Sequence, residues 1–152
     1  MGERFSCHGS AAVGTDKTII NLFNPVATPT RRAKIAEILL GSVATPADQA
    51  TRFYVGRTTA VGTEGSGFTP VNLDPGGPAG ECDAGIAHSA EPTYTASKEL
   101  LDFSMNQRAT FRWVANPGFE FLLAATQNNG AGLKSKSGTG TAAHEATILF
   151  EE

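Results

Sequence analysis

The sequence predicts an all-β chain that forms a single β-sandwich domain, and three observations support this prediction. The chain has 152 residues, which is a usual length for one domain. It is rich in turn formers, with 17 glycines and 8 prolines, while charged residues make up only 18%. Short segments in which apolar and polar residues alternate are separated by turn signals, a pattern typical of antiparallel strands with one solvent-facing side.

The N-terminal residues differ in character from the rest of the chain. Residues 1–16 mix small and polar side chains, and we interpret them as an N-terminal arm or lead-in strand. The sandwich domain is predicted to span residues 17–152. Its first strand is predicted over 18–23 and ends at Asn24-Pro25, a turn signal.

The segment 32–43 fits either a helix or a strand. In a helix, Ile35, Ile38 and Leu39 would form a stripe, and Gly41 would suit the C-cap. The flanking prolines and the β character of the remaining chain favour a strand. Strict alternation along this strand would place Ile35 on the face of Leu39 and opposite to Ile38.

The middle of the chain combines one strand with a long connection. A strand is predicted over 52–59, and it is followed by a Gly/Pro-rich loop over 62–92. Loops of this length without structure of their own are usually functional or held by a partner. A short helical turn over 71–74 is also expected within it.

The C-terminal third shows the clearest alternation. Strands are predicted over 99–105, 108–115, 119–123, 133–137 and 145–151, with a flexible loop over 138–142. In the second of these strands, Phe111 and Trp113 alternate with Arg112, which predicts a half-buried strand. About eight strands at this spacing favour a sandwich of the jelly-roll type.

The possible metal ligands do not form a recognisable framework. Cys7, His8, Cys82 and His88 supply the right atom types, but their spacing matches no zinc motif, and the adjacent Cys7 and His8 would point to opposite faces of a strand. We expect two reduced thiols and two loop histidines, with no metal and no cofactor.

Catalytic motifs are equally weak. The segment Gly65-Ser66-Gly67 is not a nucleophile elbow, and Cys82 lies between two acids that disfavour its thiolate. The glycine-rich loops lack the lysine and the strand-to-helix context of a phosphate cradle. We therefore expect a protein that is not an enzyme.

Aromatic and charged residues near the C-terminus allow two interpretations. Trp113 with Tyr94 and Phe119 could stack on a sugar, but the tryptophan shares a strand face with Phe111, which favours the core. Arg108 and Arg112, with Glu120 across a turn, are expected to form ion pairs between strands or subunits.

Charge and hydropathy argue against nucleic acid and membranes as partners. The net charge of −3 disfavours a nucleic-acid binder. No apolar run reaches the roughly 20 residues of a membrane helix, and no signal peptide is evident at the N-terminus.

With its strands placed, the sequence resembles a family of small structural proteins of tailed-phage particles with a jelly-roll fold. The resemblance covers most of residues 30–152 and is carried by RAKI (32–35), ATPAD (44–48), RTTAVGT (57–63), LDP (73–75), EPTYT (91–95), NQRATFRWVA (106–115), PG (117–118), AT (125–126), NG (129–130) and FEE (150–152). These segments are structural rather than catalytic.

The resemblance implies a structural role in the virion, and we infer decoration (cement) of the capsid surface after assembly in the host cytoplasm. The implied partners are the major capsid protein and other copies of this chain, with a trimer as the expected arrangement. The alternatives are a tail, spike or vertex component of the virion, or a jelly-roll carbohydrate-binding module. The candidate interface residues are Arg4, Phe5, His8, Phe68, Asp74, Tyr94, Arg108, Arg112 and Glu120.

Overall fold

A computed structural model of the chain describes residues 2–12, 14–137 and 142–152. The strands, in chain order, are β1 (Arg4–Ala12), β2 (Lys17–Phe23), β3 (Lys34–Val43), β4 (Ala50–Ala60), β5 (Ser66–Phe68), β6 (Val71–Asn72), β7 (Asp83–Ile86), β8 (Thr93–Asn106), β9 (Phe111–Val114), β10 (Phe121–Leu122), β11 (Gly130–Ser137) and β12 (Ala143–Glu151).

The strands form two six-stranded antiparallel sheets, which confirms the prediction of an all-β sandwich. The first sheet has the order β10-β3-β12-β1-β6, with β9 also paired to β3. The second sheet has the order β5-β7-β2-β11-β4-β8. Segment 32–43 is resolved in favour of the strand, since β3 lies between β12 on one side and β9 with β10 on the other.

The structure corrects two expectations about the connection 62–92 and decides between the two alternatives for residues 1–16. The connection 62–92 contains β5, β6 and β7, which are so short and glycine-rich that their alternation is not visible in the sequence. The expected helical turn over 71–74 instead begins with β6. Between the two alternatives for residues 1–16, the structure has a strand, because β1 lies inside the first sheet between β12 and β6.

Strand β3 contains a bulge that changes which residues are buried. Opposite it, Leu149 pairs with Glu37 while the next residue, Phe150, pairs with Ile35, so Ala36 is the additional residue. As a result Ile35 and Ile38 are both 0% exposed and point into the sandwich. The expectation that they lie on opposite faces is therefore wrong.

The core lies between the sheets and is joined by aromatic contacts. Phe53 of the second sheet packs on His144 of the first, with 4.9 Å between ring centroids. Phe103 and Phe111 stack across the sheets at 3.8 Å. The alternation predicted for β12 is confirmed, since Ala146, Ile148 and Phe150 are buried. The expected loop over 138–142 lies outside the described residues except for its last member.

Candidate functional site

The face of the first sheet that points away from the second sheet carries exposed aliphatic side chains among polar and charged ones. Side chains alternate across a sheet, so the residues between the buried positions of β1, β3, β9 and β12 must point outward. Its aliphatic members, with two from β6 and the turn that follows it, are Leu39, Val71, Leu73, Val114 and Leu149. Val71, Leu73 and Val114 are 59%, 54% and 52% exposed. We call this surface the outer face.

Shallow grooves cross the outer face. One of them, of about 450 Å³, lies above Leu39 and Gly41, with Arg112 and Thr147 among its walls. Its floor is open because Gly41 has no side chain, and a Cβ there would only touch Thr110 at 3.6 Å.

The second groove, of about 340 Å³, lies between Val114, Leu149 and Leu73 and reaches Arg4. A smaller groove continues from Arg4 and Leu73 to Asp74. Shallow, open grooves that combine aliphatic and charged side chains are suited to hold protein side chains rather than a small polar substrate.

Charged groups lie both within the outer face and at its rim, and Glu37 sits on β3 between Val114 of β9 and Leu149 of β12. Arg112 Nε donates to Glu37 Oε1 at 2.6 Å, and this hydrogen bond lowers the pKa of Glu37. Lys34 Nζ lies 3.8 Å from Glu151 Oε1. Among the described carboxylates, none forms an ion pair with Arg4, so this guanidinium is available to a partner.

The structure brings some of the predicted interface residues together on this surface. Arg4 and Arg112 lie on the outer face, and Asp74 lies at its rim, where its carboxylate accepts from the amide of Gly76 at 2.9 Å. His8 is exposed on β1 and packs on Phe68 at 4.4 Å between ring centroids. This last contact links the edge of the first sheet to β5 of the second.

Two predicted interface residues belong elsewhere. Phe5 is 0% exposed and stacks on Phe150 at 5.5 Å, so it is a core residue and not an interface residue of the folded chain. Tyr94 lies on the second sheet, packs on Tyr54 at 5.5 Å and hydrogen-bonds Thr18 Oγ1 through its hydroxyl at 3.0 Å.

The expected ion pairs have other partners. Arg112 pairs with Glu37 on β3, and Arg108 lies 3.9 Å from Asp48. Glu120 instead accepts from the amide of Gly118 at 3.2 Å. Arg112 thus forms a cross-strand ion pair as expected, with Glu37 as its partner because β9 pairs with β3, whereas Glu120 takes no part in it.

The thiols and histidines are arranged for packing. Burial raises the pKa of Cys7 to about 12, and burial with the neighbouring Glu152 raises the pKa of Cys82 still further. Thiols held in the neutral form are poor nucleophiles. Within the described ranges, no three histidine, cysteine or acidic side chains are grouped so as to hold a metal ion. There is also no helix there long and apolar enough to cross a membrane.

The aliphatic residues of the outer face were missed by the sequence analysis. Leu39 and Leu149 are ordinary members of apolar strands, and only the bulge in β3 determines that Leu39 points outward. Val71 and Leu73 belong to the segment that was assigned to a loop. A usable signal was present in β9, where Val114 shares a face with Arg112 and is therefore exposed.

Neither a scan against protein-family models nor a search among curated proteins finds a match to this chain.

Proposed function

We propose that this chain is a non-enzymatic structural protein of a tailed-phage virion, a jelly-roll decoration protein that binds the outer surface of the capsid. The observation that carries the proposal is the outer face, where Val71, Leu73 and Val114 are each more than half exposed and the last two line a groove with Leu149. Soluble proteins rarely leave such surfaces without a partner. The resemblance of residues 30–152 supplies the class of partner, the coat subunits.

The two sheets differ in how their external sides are covered. On the second sheet, Tyr94 and Tyr54 pack over the glycines Gly56 and Gly132, so the chain covers this surface with its own side chains. The outer face of the first sheet has no such cover in the described chain. It is therefore the surface through which we propose that the capsid is bound.

The composition of the outer face suits a specific and reversible contact. Val114, Leu149 and Leu73 supply apolar area, whose removal from water is worth about 25 cal/mol per Å². Arg4 and the Glu37–Arg112 pair, whose carboxylate lies between Val114 and Leu149, supply charged groups that select orientation more than affinity.

The first test is a peptide-mass census of purified particles, quantifying this chain against the major coat protein. Hundreds of copies in a simple ratio to the coat protein support decoration. A dozen or fewer copies indicate a tail, spike or vertex component instead. Absence from the particles overturns the virion proposal.

The second test locates the binding surface. Purified protein is added to particles that lack it, and the bound copies are counted for the native chain and for Val114→Asp. We expect this substitution to abolish binding because it removes apolar contact area and places a second carboxylate opposite Glu37. The matched control is Val26→Asp, which makes the same change at a 37% exposed valine in the β2–β3 loop.

Both variants should keep the native circular dichroism spectrum, since both valines are partly exposed. Equal loss of binding in the two variants, or retention of binding by Val114→Asp, would show that the outer face is not the binding surface. The virion role would then still be decided by the peptide-mass census.

A further inference from the structure

The second half of β8 is an open sheet edge. Strand β8 pairs only with β4, and from Leu101 to Asn106 the register with Val55 to Ala50 is regular. The opposite side of this segment carries backbone N–H and C=O groups for which the described chain supplies no strand. Such an edge is a template for another strand.

The remaining edges are short or covered by side chains. Beyond Ser6, β1 pairs with none of the described strands on its β6 side, but there His8 packs on Phe68 and Ile86 lies against Gly9. The other edge strands of the described chain, β5, β6, β9 and β10, have two to four residues each. In the first half of β8, Ser97 has a positive φ of 56°, and register shifts interrupt the pairing near Gly56. Bulges of this kind discourage edge-to-edge pairing. In the described chain, the segment 101–106 contains no such bulge and no residue with a positive φ.

The open segment also leaves apolar surface incompletely buried. Leu101, Phe103 and Met105 point into the sandwich but remain half-buried, because β8 is the last strand of its sheet. Phe103 is held in place by stacking on Phe53 at 5.8 Å and on Phe111 at 3.8 Å. A further strand along β8 would cover the exposed flank of all three side chains.

We propose that β8 pairs in antiparallel fashion with β8 of a second copy of this chain, about a two-fold axis at Phe103. This register places the two Phe103 residues opposite each other, Leu101 opposite Met105, and Asp102 opposite Ser104. It joins aromatic with aromatic and aliphatic with aliphatic side chains. A register centred on Asp102 would instead oppose two carboxylates, which disfavours it.

The charge on this strand is compatible with the pairing. Arg52 on β4 forms an ion pair with Asp102, so this carboxylate does not enter the contact as an isolated charge. Across the pair, the Ser104 hydroxyl of the other copy can donate to it. The result is one continuous twelve-stranded sheet made of two copies of the six-stranded second sheet.

The pair is two-fold, whereas the resemblance implies three copies, so molecular mass separates the two arrangements. Sedimentation equilibrium of the purified full-length chain should give a mass that approaches two chains as concentration rises. A monomer at all concentrations up to about 1 mM, the limit of weak association, overturns the edge pairing. A trimer also overturns it.

The variant Ser104→Asp tests the edge and its charges. The substitution places two carboxylates opposite each other in each of the two Asp102–Ser104 contacts. We therefore expect the dissociation constant of the dimer to rise about tenfold. The fold should persist, because Ser104 faces Arg52 across the β4–β8 pair. The matched control, Ser66→Asp on the exposed opposite edge strand β5, should leave the dimer unchanged.

A charge exchange tests the register itself. In the double variant Asp102→Lys with Ser104→Asp, each new ammonium group faces a new carboxylate of the other copy, so dimerisation should return. The new carboxylate also remains a partner for Arg52. Failure of the double variant to recover, with a native circular dichroism spectrum, overturns the Phe103-centred register. Equal effects of Ser104→Asp and Ser66→Asp overturn the assignment to this edge.

Discussion

The ring of Tyr94 lies directly over Gly132 of β11, in the space that any side chain at position 132 would occupy. The phenol reaches across the strand to hydrogen-bond Thr18 Oγ1 at 3.0 Å, and burial raises the pKa of Tyr94. Lys134 places its ammonium 4.2 Å from the ring centroid and pairs with Asp16 at 2.8 Å. The missing side chain at position 132 thus allows the second sheet to be covered by its own residues.

The substitution Gly132→Ala should destabilise the fold by about 1–3 kcal/mol, because the new methyl group displaces Tyr94 and breaks its hydrogen bond to Thr18. Urea denaturation measures the change. The control Gly41→Ala, also within a strand, adds a methyl group in ordinary contact with Thr110 at 3.6 Å and should be close to neutral. Equal losses in both variants would contradict the packing explanation.

The buried His144 should make the fold less stable in mild acid. Desolvation lowers the pKa of His144 below its ordinary value of 6.5, so below that pH the unfolded chain takes up a proton that the folded chain does not. The free energy of unfolding should therefore fall from pH 7.5 to 5.5, by at most about 1.4 kcal/mol per pH unit for this group.

The variant His144→Leu removes the titrating group while keeping an apolar contact with Phe53. Its free energy of unfolding should vary less with pH over the same interval, which is chosen to lie above the ordinary range of the carboxyl groups. An unchanged pH dependence would show that His144 is not responsible.

The thiols of Cys7 and Cys82 should resist alkylation in the folded protein. Both side chains are buried, and burial raises the pKa of Cys7 to about 12, so little thiolate is present or accessible at neutral pH. Iodoacetamide followed by mass spectrometry should label neither thiol under native conditions and both in guanidinium chloride. Rapid native labelling of either one would contradict its placement in the core.

Trp113 distinguishes a structural aromatic residue from a sugar-binding platform. Its ring stacks on Phe121 at 4.2 Å and packs against the core, as its alternation in β9 predicts. Its fluorescence should not respond to a panel of glycans, whereas quenching that saturates would support the carbohydrate-binding alternative. Trp113→Ala should cost about 2–3 kcal/mol, below the value of a fully buried tryptophan, because one side stays exposed.

Strands with regular alternation could be predicted from the sequence with their faces. In β12, Ala146, Ile148 and Phe150 alternate with polar residues, and in β9, Trp113 alternates with Arg112, so burial follows from the period of two. The same rule failed in β3, because the bulge at Ala36 turns the following residues over and places Leu39 outside. A bulge depends on the partner strand and leaves no mark in its own segment.

The candidate surface was predictable only in part for a related reason. Arg4, Arg112 and Asp74 were among the candidate interface residues, and the structure places them at the outer face and its rim. Phe5 was another candidate, but its aromatic ring is buried by Phe150 from the far end of the chain. Whether an apolar residue faces water depends on strands that are distant in sequence.

The fold class could be predicted from the sequence, because alternating hydrophobicity and abundant turn formers act within a few residues of each other. The three-dimensional structure was needed to show that β1 pairs with β12, that Leu39 and Val114 share an exposed face, and that β8 ends its sheet with an open edge. These features arise from contacts between segments separated by tens of residues or more. The stability of each pairing depends on which strands come together, and the pattern of residues within a single strand does not specify its partner.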